Sequence, residues 1–236
     1  MNDIRTGTCG EKSSIAVLAS GGLDSSVLVA ECAELYQEVF PIYLKCGLHW
    51  EEAEQRFLAA FLREFGNRRV REARVLEFPM RDVYGESWYL SGAGVPGYQD
   101  PDEHWEIPGR NLILLAKAAV WANLNCVGSI ALATLSSNPF PDASDSFFAA
   151  MERTLTEGLG GRISIFRPFA GLEKFEVIQR GAGLPLELTL SCGDPQPEGH
   201  CGLCGKCRER IDAFARAGVA DSTPYRRRFE STVKDV

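Results

Sequence analysis

Ser20-Gly21-Gly22-Leu23-Asp24-Ser25-Ser26 follows the apolar run at 15–19 and opens a segment, 24–35, in which Val27, Leu28, Ala30, Ala33 and Leu35 keep one apolar face. Strand, glycine turn and helix start therefore stand in that order. The run at 15–19 has no polar alternation, as expected of a parallel strand buried on both faces. Two glycines let the backbone turn sharply and approach a ligand closely. The hydroxyls of Ser20, Ser25 and Ser26 stand beside the unpaired N–H groups of a helix N-terminus, which makes the turn a nest for phosphate. The residues also allow a plain glycine turn before a capped helix, with Asp24 and Ser25 as ordinary helix-start residues.

Working outward, strands are predicted at 39–44, 74–78, 129–135 and 163–166, and helices at 50–65, 112–124, 144–155, 174–180 and 208–217. Strands alternating with helices predict an α/β fold: a doubly wound, mostly parallel five-stranded sheet with 15–19 central and the phosphate loop at the switch point. The chain is expected to divide into an α/β domain carrying the phosphate loop, 1–185, and a C-terminal segment and helix carrying the late cysteines, 186–236. Residues 81–108 interrupt the pattern with glycine, proline and aromatic residues, including Tyr84, Trp88 and Trp105. A loop of that length inside a compact domain is usually functional, so a lid or substrate wall with a short helix of its own is expected. Arg110 falls at the start of a predicted helix, where a cation opposes the helix dipole, so it is expected to meet an anionic ligand. Residues 136–142 form a loop at a strand's C-terminal end, where open α/β sheets bind ligands.

The chain carries 25 basic and 32 acidic residues, a formal charge of −7. Such a surface disfavours nucleic acid as a partner. Hydrophobic content of 45% with 24% charged residues suits a globular protein, and no run approaches the roughly 18 apolar residues of a membrane span. The polar start, 1–13, lacks the apolar core of a secretory signal, so a cytoplasmic address is expected. Arg68, Arg69, Arg71 and Arg74 alternate with acids and read as a solvated face, and Arg226 to Arg228 as an exposed tail.

Eight cysteines in a cytoplasmic chain point to metal or catalysis rather than a disulfide framework. Cys9, Cys32, Cys46 and Cys126 are scattered and read as small buried apolar residues. Cys192, Cys201, Cys204 and Cys207 have the spacing C-x8-C-x2-C-x2-C, which lets turns present four thiolates to one tetrahedral metal. Zinc in a closed structural site is the first reading, an iron–sulfur cluster the second and a redox pair the third. His200 is a potential substitute for one sulfur.

The loop Ser-Gly-Gly-x-Asp-Ser resembles the pyrophosphate (PP) loop of the ATP pyrophosphatases. Taken with IPGRN at 107–111, FPD at 140–142, Lys174, SC at 191–192, CGLCGKCRER at 201–210 and AGVADSTPY at 217–225, the chain resembles the 7-cyano-7-deazaguanine synthase family along most of its length. The resemblance implies an ATP-dependent carbon–nitrogen ligase that converts 7-carboxy-7-deazaguanine and ammonia to the nitrile through adenylated intermediates. It implies that Ser20, Gly21, Gly22, Leu23, Asp24, Ser25 and Ser26 hold the ATP phosphates, with Asp24 also near Mg2+. Asp24, Ser25 and Lys174 would be catalytic, Lys174 neutralising pyrophosphate. Arg110, Asn111, Pro141 and Asp142 would line the substrate pocket, the four late cysteines would bind Zn2+, and the chain would pair as a homodimer. Asp142 suits a guanine-like base because a carboxylate accepts two N–H donors. The sequence departs from the family pattern at 45–50, in part of 136–144, and at Gly193.

Two other functions fit the motifs: a related PP-loop ligase adenylating another carboxylate, on a modified deazapurine or a protein terminus, and a non-catalytic ATP-binding regulator. The combination of Asp24 with Lys174 speaks for catalysis over the regulator. Without room for a glutaminase domain, free ammonia is the expected nitrogen source.

Overall fold

The structure, a computed structural model, describes residues 14–197 and 199–229. Five strands, β1 (Ser14–Leu18), β2 (Glu38–Lys45), β3 (Arg74–Glu77), β4 (Ser129–Ala131) and β5 (Ser164–Phe166), form one all-parallel sheet in the order β3-β2-β1-β4-β5. β1 is central, pairing Ile15 with Val39 on one side and Ala16 with Ile130 on the other.

Because successive strand residues face opposite sides, β1 feeds two cores. Ile15 and Val17 join Val27, Val177 and Phe214 on one face; Ala16 and Leu18 join Ile42, Leu115 and Phe148 on the other. Helices α1 (Leu23–Leu35), α7 (Lys174–Arg180) and α8 (Gly205–Ala217) supply the first layer, and α5 (Arg110–Leu124) and α6 (Asp145–Leu159) the second. α2 (Glu51–Phe65) contributes Leu58 to the first core and turns Ala53 toward the cysteine cluster. Helices on both faces make the sheet doubly wound, as the sequence predicts. Ala213 and Phe214 of α8 lie in the same core as β1, so the C-terminal segment packs directly on the sheet layer.

Residues 81–108 hold α3 (Arg81–Tyr84), α4 (Trp88–Ser91) and a 3-10 turn, Asp102–Trp105. β4 ends at Ala131 rather than 135; Leu132 still donates its N–H to Phe166 O at 3.0 Å, and residues 132–134 line the cavity described below. α8 begins at Gly205, three residues before the expected start, because its first turn is part of the cysteine cluster. Cys126 corrects the expectation of burial: it is exposed, with φ at 56°, and closes the end of α5 by donating its N–H to Asn123 O. Cys32 and Cys46 are buried, and burial pushes their thiols up to about 12 and about 11, so both are inert apolar fillers. Cys9 lies outside the described residues. Among the described residues no helix is long and apolar enough to cross a membrane.

Candidate active site

A cavity of about 350 Å3 opens where β1, β2 and β4 end, lined by Leu18 and Ala19, Ile42 to Leu44, and Leu132 to Thr134. This is the C-terminal edge of a parallel sheet at the point where strand order reverses.

The loop after β1 forms its floor. Ser20 Oγ accepts the Gly22 N–H at 3.2 Å, while Ser25 Oγ accepts the Ser20 N–H at 3.3 Å and donates to Gly22 O at 3.1 Å. Gly21 has φ at 78°, and a Cβ there would lie 2.5 Å from Glu54 O and 2.9 Å from Leu58 N, so only glycine lets the loop press against α2. Among the described residues, three buried side-chain oxygens in and beside this loop have no partner: Asp24 Oδ1, Ser26 Oγ and Thr134 Oγ1. Buried polar atoms without partners are costly, and those of Asp24 and Thr134, which line the cavity, mark a place built for a polar ligand.

Lys174, at the first position of α7, meets Asp24 Oδ2 at 3.1 Å and Glu209 Oε1 at 3.0 Å. Glu209 Oε2 in turn meets Lys206 Nζ at 3.1 Å. Burial opposes charge on Lys174, but Asp24 and Glu209 outweigh it and raise its pKa, so it remains a cation. Burial likewise opposes charge on Glu209; Lys174 and Lys206 outweigh it and hold the carboxyl at about 2. The result is a row of alternating charges beside the loop, in which Lys174 and Glu209 stay ionised throughout the neutral range.

On the opposite wall, Arg110 opens α5. Asn111 donates its backbone N–H to Asp142 Oδ2 at 2.8 Å and its side-chain amide to Asp142 O at 3.0 Å. Asp142 thus satisfies an orphan N–H of the α5 start and places a negative charge at the positive end of the dipole. Of the residues expected in the site, Ser20, Gly22, Leu23, Asp24, Ser25, Arg110, Asn111, Asp142 and Lys174 line the cavity, whereas Gly21, Ser26 and Pro141 stand behind its surface.

Several lining groups were missed by motif reading. Glu54 is buried against the floor, with Tyr43 Oη donating to Oε2 at 2.7 Å. Burial raises its pKa to about 7, against the opposing pull of Arg110 and Tyr43. The signal was present: Glu54 precedes Phe57, Leu58 and Phe61 at helical spacing, placing a carboxylate on the apolar face of α2. Trp50 was not singled out either; it completes an aromatic wall with Trp88 and Trp105, which come from the segment expected to form a lid or substrate wall, with Trp50 and Trp88 centroids 5.8 Å apart and Trp88 edge-on to Trp105 at 5.1 Å. Lys206 of α8 also lines the cavity and, like its partner Glu209, carries no local signature.

Next to this wall, the Sγ atoms of Cys192, Cys201, Cys204 and Cys207 all lie within 4.8 Å of one another, and all four residues are buried. Backbone N–H groups of Cys201 and Gly202 donate to Cys192 and Cys207 Sγ, each at 3.3 Å, and that of Gly193 donates to Cys204 Sγ at 3.5 Å. Convergent sulfurs receiving N–H bonds suit thiolates around one metal. His200 stands outside the set: its Nε2 accepts the Ser191 N–H at 2.9 Å, and burial, aided by Arg210, pushes its pKa down to about 3.

An all-parallel sheet carrying a Ser-Gly-Gly loop at the switch point, a lysine returning to it, and a cavity above both define a PP-loop α/β protein. The U34-tRNA thiolase NcsA from Methanococcus maripaludis shares the fold, with a TM-score of 0.52 at 14% identity over 89% of this chain and 69% of that one. The family described as queuosine biosynthesis protein QueC matches residues 14–218, and the chain belongs to that family. A 7-cyano-7-deazaguanine synthase of Geobacter metallireducens is 36% identical over 89% of this chain and 92% of its own length. One of Geotalea daltonii is 32% identical over 91% and 97%.

Proposed function

We propose that the protein converts 7-carboxy-7-deazaguanine and ammonia to 7-cyano-7-deazaguanine with two ATP. The observation that carries this reading is the single cavity that joins the phosphate loop and Lys174 on one side to Arg110 and the aromatic wall on the other, in a chain of this family.

In the first half-reaction a carboxylate oxygen attacks the α-phosphorus and pyrophosphate leaves. Ammonia then attacks the acyl carbon, its excess proton is lost, and AMP departs to give the amide. In the second, the amide oxygen attacks another α-phosphorus, pyrophosphate leaves, and loss of AMP and the two nitrogen-bound protons gives the nitrile. The loop N–H groups and the hydroxyls of Ser20 and Ser25 hold the phosphates, and Lys174 offsets charge gathering on pyrophosphate. Arg110 orients the substrate carboxylate, and the tryptophans face the planar bicycle. Asp24, whose Oδ1 has no partner among the described residues, would hold Mg2+, which supplies charge neutralisation on the phosphates when bound. The four cysteines would hold Zn2+ as a closed structural cross-link. The acidic surface fits small-molecule substrates rather than nucleic acid, and we place the enzyme in the cytoplasm as a homodimer.

The test is mass spectrometry of products after incubation with 7-carboxy-7-deazaguanine, ATP, magnesium and ammonium, beside an Asp24→Ala control. Nitrile formation that the control loses is the expected result. No amide, nitrile or AMP from folded protein overturns the reading.

A further inference from the structure

Trp105 reaches the cavity from the end of the 3-10 turn in the segment 81–108, yet what holds it comes from about a hundred residues later. A Cβ on Gly193 would lie 2.3 Å from both Cη2 and Cζ3 of the indole, and a Cβ on Gly205 2.7 Å from its Nε1. Both distances are far inside van der Waals contact, so the ring is bracketed at its benzo and pyrrole ends by two positions that only glycine leaves open. Gly193 follows Cys192 and Gly205 follows Cys204, and those sulfurs are 4.0 Å apart. The bracket is therefore an outgrowth of the cysteine cluster.

The strand of chain leading to Trp105 is fastened to the same cluster. Gly97 makes an antiparallel bridge with Cys204, and the Gly205 N–H reaches Pro96 O at 3.4 Å. Arg208, one turn into α8, donates to Tyr98 O at 2.6 Å and to Asp102 Oδ1 at 2.8 Å. Lys206 Nζ sits 5.5 Å from the centre of the indole, which couples the ring to the charged row beside the phosphate loop. Trp105 in turn props Trp88, which props Trp50.

We propose that Trp105 is the specificity-determining wall of the acceptor half of the cavity, seated in a two-glycine socket that the cysteine cluster builds for it. The class of ligand it selects is a flat, fused heteroaromatic acid, since a ring held at both ends offers a fixed aromatic surface and little adaptability. The indole volume lies where a side chain at 193 would project, so the same space is open to a ring from either position, but not from both. This inference rests on the functional reading above for the identity of the acid, and on the socket geometry alone for the rest.

Two measurements separate those dependences. Hydrogen exchange needs no substrate: amides of 95–106 are expected to exchange about tenfold faster in Gly193→Ala, whose methyl group expels the ring, and in Trp105→Gly. Unchanged protection in both variants overturns the socket. For turnover, Trp105→Gly is expected to raise KM for the deazapurine acid about tenfold, the scale of one lost aromatic face, while KM for ATP moves less than about twofold. The double variant Trp105→Gly/Gly193→Trp is expected to recover most of that KM. An unchanged acid KM in Trp105→Gly overturns the specificity role, and a double variant no better than the single one overturns the shared ring volume. A wild-type enzyme that turns over no deazapurine acid counts against the functional reading instead, and the socket is then judged on exchange alone.

Discussion

The two walls of the cavity are built on different plans. The phosphate wall is local: Ser20 to Ser26 follow β1 directly, and their hydrogen bonds run among residues two to five positions apart. The acceptor wall is remote. Trp50 precedes α2, Trp88 and Trp105 come from the segment 81–108, and Trp105 is bracketed by glycines at 193 and 205. The proposed ATP chemistry takes its loop from one short motif and its paired charges, Lys174 and Glu209, from far along the chain, while the proposed selectivity rests wholly on long-range packing. A change in substrate preference therefore has many routes that leave ATP handling intact.

That division makes sharp demands. Lys174→Met removes the cation held by Asp24 and Glu209 and is expected to slow pyrophosphate release about a thousandfold, the scale of losing a preorganised charge at a developing anion, with acid binding little changed. Stopped-flow pyrophosphate detection and equilibrium binding of the acid check the two halves. A parallel loss of acid affinity would break the separation between walls.

Cys204→Ser should affect both walls at once, because α8 carries Lys206 and Glu209 toward one and Gly205 toward the other. We expect loss of bound metal by elemental analysis and a fall in stability of about 3 kcal/mol or more by denaturant unfolding. Full metal content and unaltered stability would mean the cluster braces neither wall.

Glu54 lies beneath the junction, and its titration gives a signature separate from turnover. Its carboxyl is shifted up to about 7 by burial, so the folded state binds its proton more tightly than the unfolded state does. Stability attached to the protonated form is complete below the ordinary value near 4.5 and is lost as pH rises through about 7. Glu54→Gln, which keeps an acceptor for Tyr43, should therefore gain on the wild type across that window by at most about 3 kcal/mol. Unfolding free energies measured at several pH values test this; a constant difference would contradict it.

The smallest effect expected is that of Lys206→Met. Its side chain is 40% exposed, and its pair with Glu209 is largely screened. A rise in KM for ATP of about threefold or less is predicted from steady-state kinetics.

What was legible in the sequence follows the same division. The order of strands and helices, the central β1 and the phosphate loop were readable because hydrophobic period and turn chemistry are local properties. The four cysteines were readable because metal-ligand spacing is local too. Glu54 was half legible, as an acid on an otherwise apolar helix face. The partnership of Asp142 with Asn111 was not: the two are 31 residues apart, and only the folded chain brings a carboxylate to that helix start. Nor was the seat of Trp105, since a glycine after a cysteine reads as turn chemistry until the ring that fills its missing side chain is in place. Cys126 was misread because its exposure comes from a left-handed turn at a helix end rather than from its residue type.

The central claim is that an oxygen of a deazapurine carboxylate attacks ATP at the junction of these walls, and labelled oxygen follows that atom directly. With both carboxylate oxygens of 7-carboxy-7-deazaguanine replaced by the heavy isotope, each adenylation carries one into the phosphate of AMP. Mass spectrometry is predicted to find two singly labelled AMP molecules for every nitrile formed. Unlabelled AMP would show that water or another nucleophile opens ATP, and would contradict the account.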